Sequence, residues 1–451
     1  MVEGNMLIVI LAAAIAAIIL LISKCKVHPF LSLLLVALGM GIAANMPLRE
    51  VIASITTGFG NTCASIGIVI ALGTAIGVFL EKSGAAYTMA GTILNVVGEK
   101  RPALAMSSIG YLVSIPVFCD SGFVILSALN KSLSRRAKVS MVTMAVALST
   151  GLYATHVLVP PTPGPIAAAA NLHADLGMVI LVGLIIAVPV AAAGYLYALW
   201  IGNKLPVVLD ESSDDLQTLI AKQGQLPSPF MSFAPIFLPI LLIGLSSLVD
   251  FPGIKAAVGA DSALYIGLRF LGHPIIALAL GFVLCLFLIP KLTDDVLNNW
   301  VGEAVKAAGT IILITAAGGA LGMIIAKTNI GKQLGDMLKV YNMGIFLPFI
   351  IAAALKTAQG SSTVALITTS AIVYPLLASL GLGTPMGAVM ATAAVGCGSM
   401  VVSHANDSYF WVVSQFSGLN VETAYRSHTV GTLIQGVTGI LAIFVVAKFV
   451  V

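Results

Sequence analysis

The stretch "GSMVVSHANDSYFWVV", Gly398 to Val413, interrupts one of the most apolar parts of the chain with six small or polar residues, Ser403 to Ser408. His404 and Asp407 within it can carry charge, and Ala, Val, Met, Phe and Trp flank it. In a soluble protein "SHANDS" reads as a surface loop. Composition removes that reading. Hydrophobic residues make up 59% of the 451 and charged residues only 9%, against about 45–50% and about 25% in ordinary soluble domains. So little charge does not cover a soluble globule of this size. Apolar runs of about 18 or more residues recur along the chain, each long enough to cross a hydrocarbon core as a helix. The sequence therefore predicts an all-α polytopic membrane protein, with "SHANDS" as a helix break at membrane depth.

Working outward, apolar runs between charged or turn-rich breaks predict ten full spans, at 5–23, 28–45, 63–81, 139–170, 177–202, 231–249, 268–289, 304–326, 384–416 and 429–450. The first lacks a basic n-region and a clear small-residue cleavage site, and reads as a retained span. Two further apolar stretches, 103–130 and 343–379, carry "FCDSG" and "KTAQGSST" near their middles. Both read as re-entrant hairpins, because non-helical backbone survives at that depth only when buried in protein or lining a wet cavity. With the N-terminus outside, the inside loops hold twice as many Lys and Arg as the outside segments, which predicts both termini outside.

An internal repeat is visible in the same pattern. "ASIGIVIALGTAIGVFLEK" (64–82) aligns with "GTIILITAAGGALGMIIAK" (309–327), Gly73 with Gly318 and Gly77 with Gly322. At nearly the same offset the first hairpin meets the second, and the break near Pro160–Pro165 meets "SHANDS". Each half, 1–203 and 231–451, then has about five spans plus one hairpin. Five is odd, so the second half is expected to be inverted. Inverted repeats with interrupted helices characterise secondary transporters, whose sites lie where the repeats meet. The polar segment 204–230 reads as an inside linker.

Four polar islands fall on the hairpins and interrupted spans. The first is "SIPVFCDSGFVIL", with Asp120 at the tip and Ser121 and Gly122 after it. The second is "THVLVPPTPGPIAAA", where His156 precedes Pro160, Pro161, Thr162, Pro163 and Pro165. Four prolines in six residues must break a helix, since each lacks a donor and clashes with the preceding turn. The third is "LKTAQGSSTVALITT", with Lys356, Gly360, Ser361, Ser362 and Thr363. The fourth supplies Ser403, His404, Asn406 and Asp407. Broken helices offer amino-terminal ends that suit a carboxylate, and hydroxyls and amides suit substrate hydroxyls. Ionisable groups at membrane depth mark ion or proton pathways. These residues are the candidate substrate site. Asp120 and Asp407 are the candidate proton-coupling groups, Asp120 foremost because His404 lies close to Asp407.

Other features read blandly. Thr315, Thr368 and Thr369 are expected to bond their own helices. His28, His173, His273 and His428 are expected at span ends or loops, and Glu81 and Lys82 as solvated loop charges. Trp200, Trp300 and Trp411 fit interfacial anchoring. The five cysteines are scattered with no CxxC pair, so they predict neither metal site nor disulfide framework. No HExxH and no Cys–His pairing favours an intramembrane enzyme, no basic cluster favours nucleic acid, and no cofactor is implied.

At the islands the chain resembles the gluconate permease (GntP) family of bacterial proton symporters, within the ion transporter superfamily. "THVLVPPTPGPIAAA" with "NLHADLG", "GSSTVA" and "VSHANDSYFW" carry the resemblance, which covers nearly the whole chain. It implies a multi-pass inner-membrane symporter of gluconate or a related sugar acid, with protons as partner ion, a homodimer, and an elevator-type motion. Sodium coupling, D-serine transport and a smaller acid such as glycerate remain alternatives. The chain departs from the family's usual pattern at Thr162, where gluconate members carry His, at Asp120-Ser121 for Glu-Val, and at Lys356 for Arg. Lys offers a point charge in place of a fork.

Overall fold

The computed structural model describes residues 5–98, 100–207, 226–250, 252–289, 291, 293–328 and 344–450. Every regular element among them is helical. In chain order these are α1 (Asn5–Ser23), α2 (Pro29–Ala43), α3 (Leu48–Lys82), α4 (Ala85–Val97), α5 (Pro102–Val113), α6 (Cys119–Ala137), α7 (Met141–Leu158), α8 (Pro163–Asn171), α9 (Leu176–Lys204), α10 (Pro229–Val249), α11 (Pro252–Val258), α12 (Ala263–Leu271), α13 (Pro274–Leu286), α14 (Val301–Lys327), α15 (Phe346–Gln359), α16 (Ser362–Val373), α17 (Pro385–Ser399), α18 (Ser408–Phe416), α19 (Val421–Ala424) and α20 (Val430–Val450).

Five helical stretches are long and apolar enough to cross a membrane alone, or seven if each bent pair counts as one span. That is fewer than the ten predicted spans, and length explains the difference. Helix α2 has 15 residues, roughly 22 Å at about 1.5 Å per residue, against a core of about 30 Å. The predicted span 268–289 is the pair α12 and α13, bent by 64°. Helix α4 was not among the predicted spans. The linker read across 204–230 lies largely outside the described residues, as does the start of the second hairpin. What is described of the linker is fastened: Val207 N donates to Ser140 Oγ at 3.2 Å, and Thr88 Oγ1 donates to Pro227 O at 3.0 Å.

The third span begins at Leu48, not at 63. "SITTGFGNTCAS" looks too polar for a span, yet Thr56 and Thr62 return their hydroxyls to Ile52 O and Gly58 O at 3.0 and 2.9 Å. A back-bonded hydroxyl presents little polarity to its neighbours. The resulting long α3 lies antiparallel against α14, its partner in the sequence repeat. Gly58 backs directly onto Gly319, and Lys82 pairs with Glu303 at 2.5 Å. The repeated glycines make room for helix breaks. A Cβ on Gly73 would sit 2.8 Å from Pro161 O, and one on Gly77 2.6 Å from Pro116 O. Thus α3 backs the turn of the first hairpin and the proline break together. The core around α7 is wholly buried along its length.

Candidate functional site

All four islands are helix breaks. Between α7 and α8 the chain turns through Val159–Thr162, with a cis peptide between Pro160 and Pro161. The Thr162 hydroxyl is shared between His156 O at 2.9 Å and Val159 O at 2.7 Å. It satisfies carbonyls that α7 leaves open, so this hydroxyl points into the break. The buried His156 ring lies between Phe118, 5.9 Å away, and Tyr153, nearly parallel at 6.4 Å. Among the described residues its Nδ1 has no partner. The Tyr153 hydroxyl donates to Ser399 O at 3.5 Å, which ties this break to the end of α17.

Between α15 and α16 the chain reverses at Gly360, whose φ is +94°. A Cβ there would collide with the backbone of Asn406. Ser361 caps α16 by accepting from Val364 N at 3.3 Å. The carboxyl end of α15 is closed by the fourth island. Asn406 Nδ2 donates to Thr357 O at 2.9 Å and Ala358 O at 3.2 Å. His404 Nε2 lies 2.8 Å from Thr357 O, and a carbonyl only accepts, so this nitrogen carries a hydrogen. Trp411 Nε1 donates to Ala405 O at 2.9 Å, fixing the same loop. We expect Gly360→Ala to lower stability by ~1–3 kcal/mol, through strained backbone and displacement of Asn406. Thermal unfolding in detergent checks this, and an unchanged midpoint refutes it.

The fourth island lies between α17 and α18, and its centre is Asp407. Its Oδ1 accepts from Tyr409 N at 3.1 Å, capping α18. Its Oδ2 accepts from Lys356 Nζ at 2.7 Å and from Ser403 Oγ at 2.5 Å. Lys356 is fully buried and its carboxylate partner nearly so. The network continues beyond the island. Ser403 Oγ lies 3.1 Å from His428 Nε2, and His428 Nδ1 lies 3.2 Å from Ser149 Oγ. His428 is thus not interfacial as its position near a span end suggested. It is fully buried, on a π-helical turn (Tyr425–Thr429) that leads into α20.

The first island brings Asp120 to the first turn of α6. Ser408 Oγ, on the first turn of α18, donates to Asp120 Oδ1 at 3.3 Å. No ion pair reaches Asp120 among the described residues. Glu81, at the end of α3, is half-buried, less solvated than a loop charge. Gly122 is buried against Leu152. Thr363 packs beside Gly164, placing the amino ends of α8 and α16 side by side. Of the three back-bonding threonines expected, Thr315 does so, to Ile311 O at 2.7 Å. Thr368 and Thr369 are buried with no hydroxyl partner among the described residues.

The amino ends of α6, α8, α16 and α18 therefore gather around Tyr153, His156 and Tyr409, beside a buried lysine. Two cavities of about 570 and 230 Å³ lie elsewhere and share His173, Ala326 and Tyr374; none of the island residues lines them. Among the described residues no cluster suits a metal ion. Sequence reasoning missed Ser149 and His428. The only signal was that His428 and Ser427 stand among polar residues just before an apolar run.

Broken helices gathered around a buried ion pair, among apolar helices long enough to cross a membrane, have the architecture of a transporter. More narrowly, the chain belongs to the GntP family permeases, whose family model matches residues 6–450. It is 38% identical to an uncharacterized permease of Haemophilus influenzae over 91% of this chain and 86% of that one. It is 33% identical to the inner membrane permease YgbN of Escherichia coli, covering 96% and 97%. The gluconate permease of Zymomonas mobilis is 31% identical, covering 98% of both. The fold is also that of the Alcanivorax borkumensis YdaH transporter, with TM-score 0.64 over 94% of this chain and 98% of that chain, at 13% identity.

Proposed function

We propose that this permease takes up a hydroxylated monocarboxylate, gluconate or a related sugar acid, together with protons, across a bacterial inner membrane. The observation that carries this reading is Lys356. It is a fully buried cation where the broken helices meet. A cation so placed needs an anion, and Asp407 supplies one in the structure described. A substrate carboxylate arriving beside the amino ends of α6 and α16 competes for the same ammonium. Ser121, Gly122, His156, Ser361, Ser362 and Thr363 then surround the hydroxylated part of the molecule. Gly360, Ser403, His404, Asn406 and Asp407 hold the reversals that shape the site, and Thr162 holds the proline break. Relatives named gluconate permeases support the substrate class.

In this reading Asp120 is the group that carries the proton, because Asp407 is already held by a cation and two further donors. The antiparallel packing of α3 on α14 supports two inverted halves, 1–203 and 231–451. The hairpins α5–α6 and α15–α16 enter and leave on one side each. The working unit is a homodimer with an elevator-type motion. The test is uptake into proteoliposomes. Gluconate should accumulate when an inward proton gradient is imposed and ignore a sodium gradient. Accumulation that follows sodium and ignores pH would sink the proton assignment, and no gluconate uptake at all would sink the substrate class.

A further inference from the structure

The polar network does not stop at the residues that shape the substrate site. It ends on His428, whose ring is buried between α7 and the loop before α18, with both nitrogens hydrogen-bonded. The donors can be assigned. An ionised Asp407 only accepts, so the Ser403 hydroxyl hydrogen points to it at 2.5 Å. Ser403 Oγ must then accept from His428 Nε2–H. That bond is the same whether the ring is neutral or charged. The two states differ only at Nδ1. In a neutral ring Nδ1 accepts from the Ser149 hydroxyl. In an imidazolium Nδ1 donates to Ser149 Oγ, and the Ser149 hydrogen needs another acceptor. It has one, Val146 O at 3.2 Å. One hydroxyl rotation therefore satisfies both protonation states, with no heavy atom displaced.

The charges facing the ring are few. Asp407 lies one hydroxyl away, and Lys356 lies beyond it. Tyr409 presents its ring edge at 5.2 Å and donates its own hydroxyl to Ser149 O at 2.9 Å. Arg426, two residues earlier, is exposed and pairs with Glu422. With Lys356 on Asp407 and a neutral His428, the cluster has no net charge. When a substrate carboxylate draws Lys356 away, Asp407 is left uncompensated in a dry interior, which is strongly unfavourable.

We propose that His428 is a second proton-holding group, which takes a proton from solution onto Nδ1 as the substrate carboxylate engages Lys356, and so keeps Asp407 compensated through Ser403. It is a positioning residue, since it acts on the substrate only through that pair. The proposal rests on the reading of Lys356 as the substrate's counter-charge. It links substrate binding to proton uptake by charge balance, in addition to any proton on Asp120.

Titration calorimetry with gluconate, in buffers of different ionisation enthalpy, counts the protons taken up on binding. The Asp120→Asn background removes the first proton group. In that background about one proton should still be taken up per gluconate, and adding His428→Gln should bring the count near zero and flatten the dependence of Kd on pH. Ser403→Ala keeps the histidine and cuts only the link, and should have the same effect, which guards against misfolding of the His428 variant. Gluconate binding with an undiminished proton count in both double variants overturns this proposal alone. Failure of the wild type to bind gluconate, or tight binding that survives Lys356→Gln, overturns the reading on which it rests and this proposal with it.

Discussion

Lys356→Gln is expected to be the most damaging single substitution in the molecule. The ammonium is fully buried and pairs at 2.7 Å with a carboxylate whose side chain is 7% exposed. Removing one member of such a pair strands the other charge, typically at ~3–5 kcal/mol. Asp407→Asn should do similar harm, aggravated by the weaker cap on α18, where Oδ1 accepts from Tyr409 N. The double variant Lys356→Gln/Asp407→Asn strands nothing and should recover much of the lost stability. Its function should not return, because no cation then meets the substrate carboxylate. Two measurements separate these roles. Thermal unfolding in detergent gives the stability cycle, and a double variant no more stable than either single one refutes the pairing argument. Binding of gluconate against its neutral amide gives the role in recognition. The double variant should lose affinity for the acid far more than for the amide, and equal losses would make Lys356 purely structural.

The breaks in the helices were legible because their causes are local. Four prolines between 160 and 165 forbid a continuous helix, and α7 stops at Leu158. Gly360 before a run of hydroxyl residues marks a reversal with an N-cap, and Ser361 is that cap. The partners chosen across those breaks were not legible. Asp407 and Lys356 are 51 residues apart, and His428 and Ser149 are 279 apart. His404 looked like the natural neighbour of Asp407, three positions away, yet its ring turns to close α15. The start of α3 was hidden for a different reason. Hydropathy counts a threonine as polar whether or not its hydroxyl is returned to the preceding turn, as at Thr56 and Thr62. The partners of the Thr162 hydroxyl were hidden in the same way, since it lies on two carbonyls of the break.

The contrast between the two aspartates leads to the other large effect, at Asp120. Asp407 accepts from an ammonium, a serine hydroxyl and a backbone amide. Its negative charge is fully used, and protonating it would sacrifice the ion pair. Asp120 is only partly buried, and its clearest polar contact is the Ser408 hydroxyl at 3.3 Å. Long bonds from two neutral donors, the Ser408 hydroxyl on Oδ1 and the Cys119 thiol at 3.9 Å on Oδ2, with no cation on it among the described residues, leave this carboxylate free to gain and lose a proton as its surroundings change. Its position joins the tip of the first hairpin to the first turn of α18, so a proton there neutralises a charge at the seam between two broken helices. Asparagine keeps the shape and can still accept from Ser408, but it carries no charge in any state. In proteoliposomes Asp120→Asn should therefore cut accumulation of gluconate under an imposed pH gradient to what the single proton on His428 can drive, while exchange of labelled for unlabelled gluconate across the membrane persists in full. Accumulation undiminished in the variant rules Asp120 out as a carrier. Equal loss of accumulation and exchange makes it a binding or structural group, because a residue needed only for coupling is not needed when substrate moves in both directions at once.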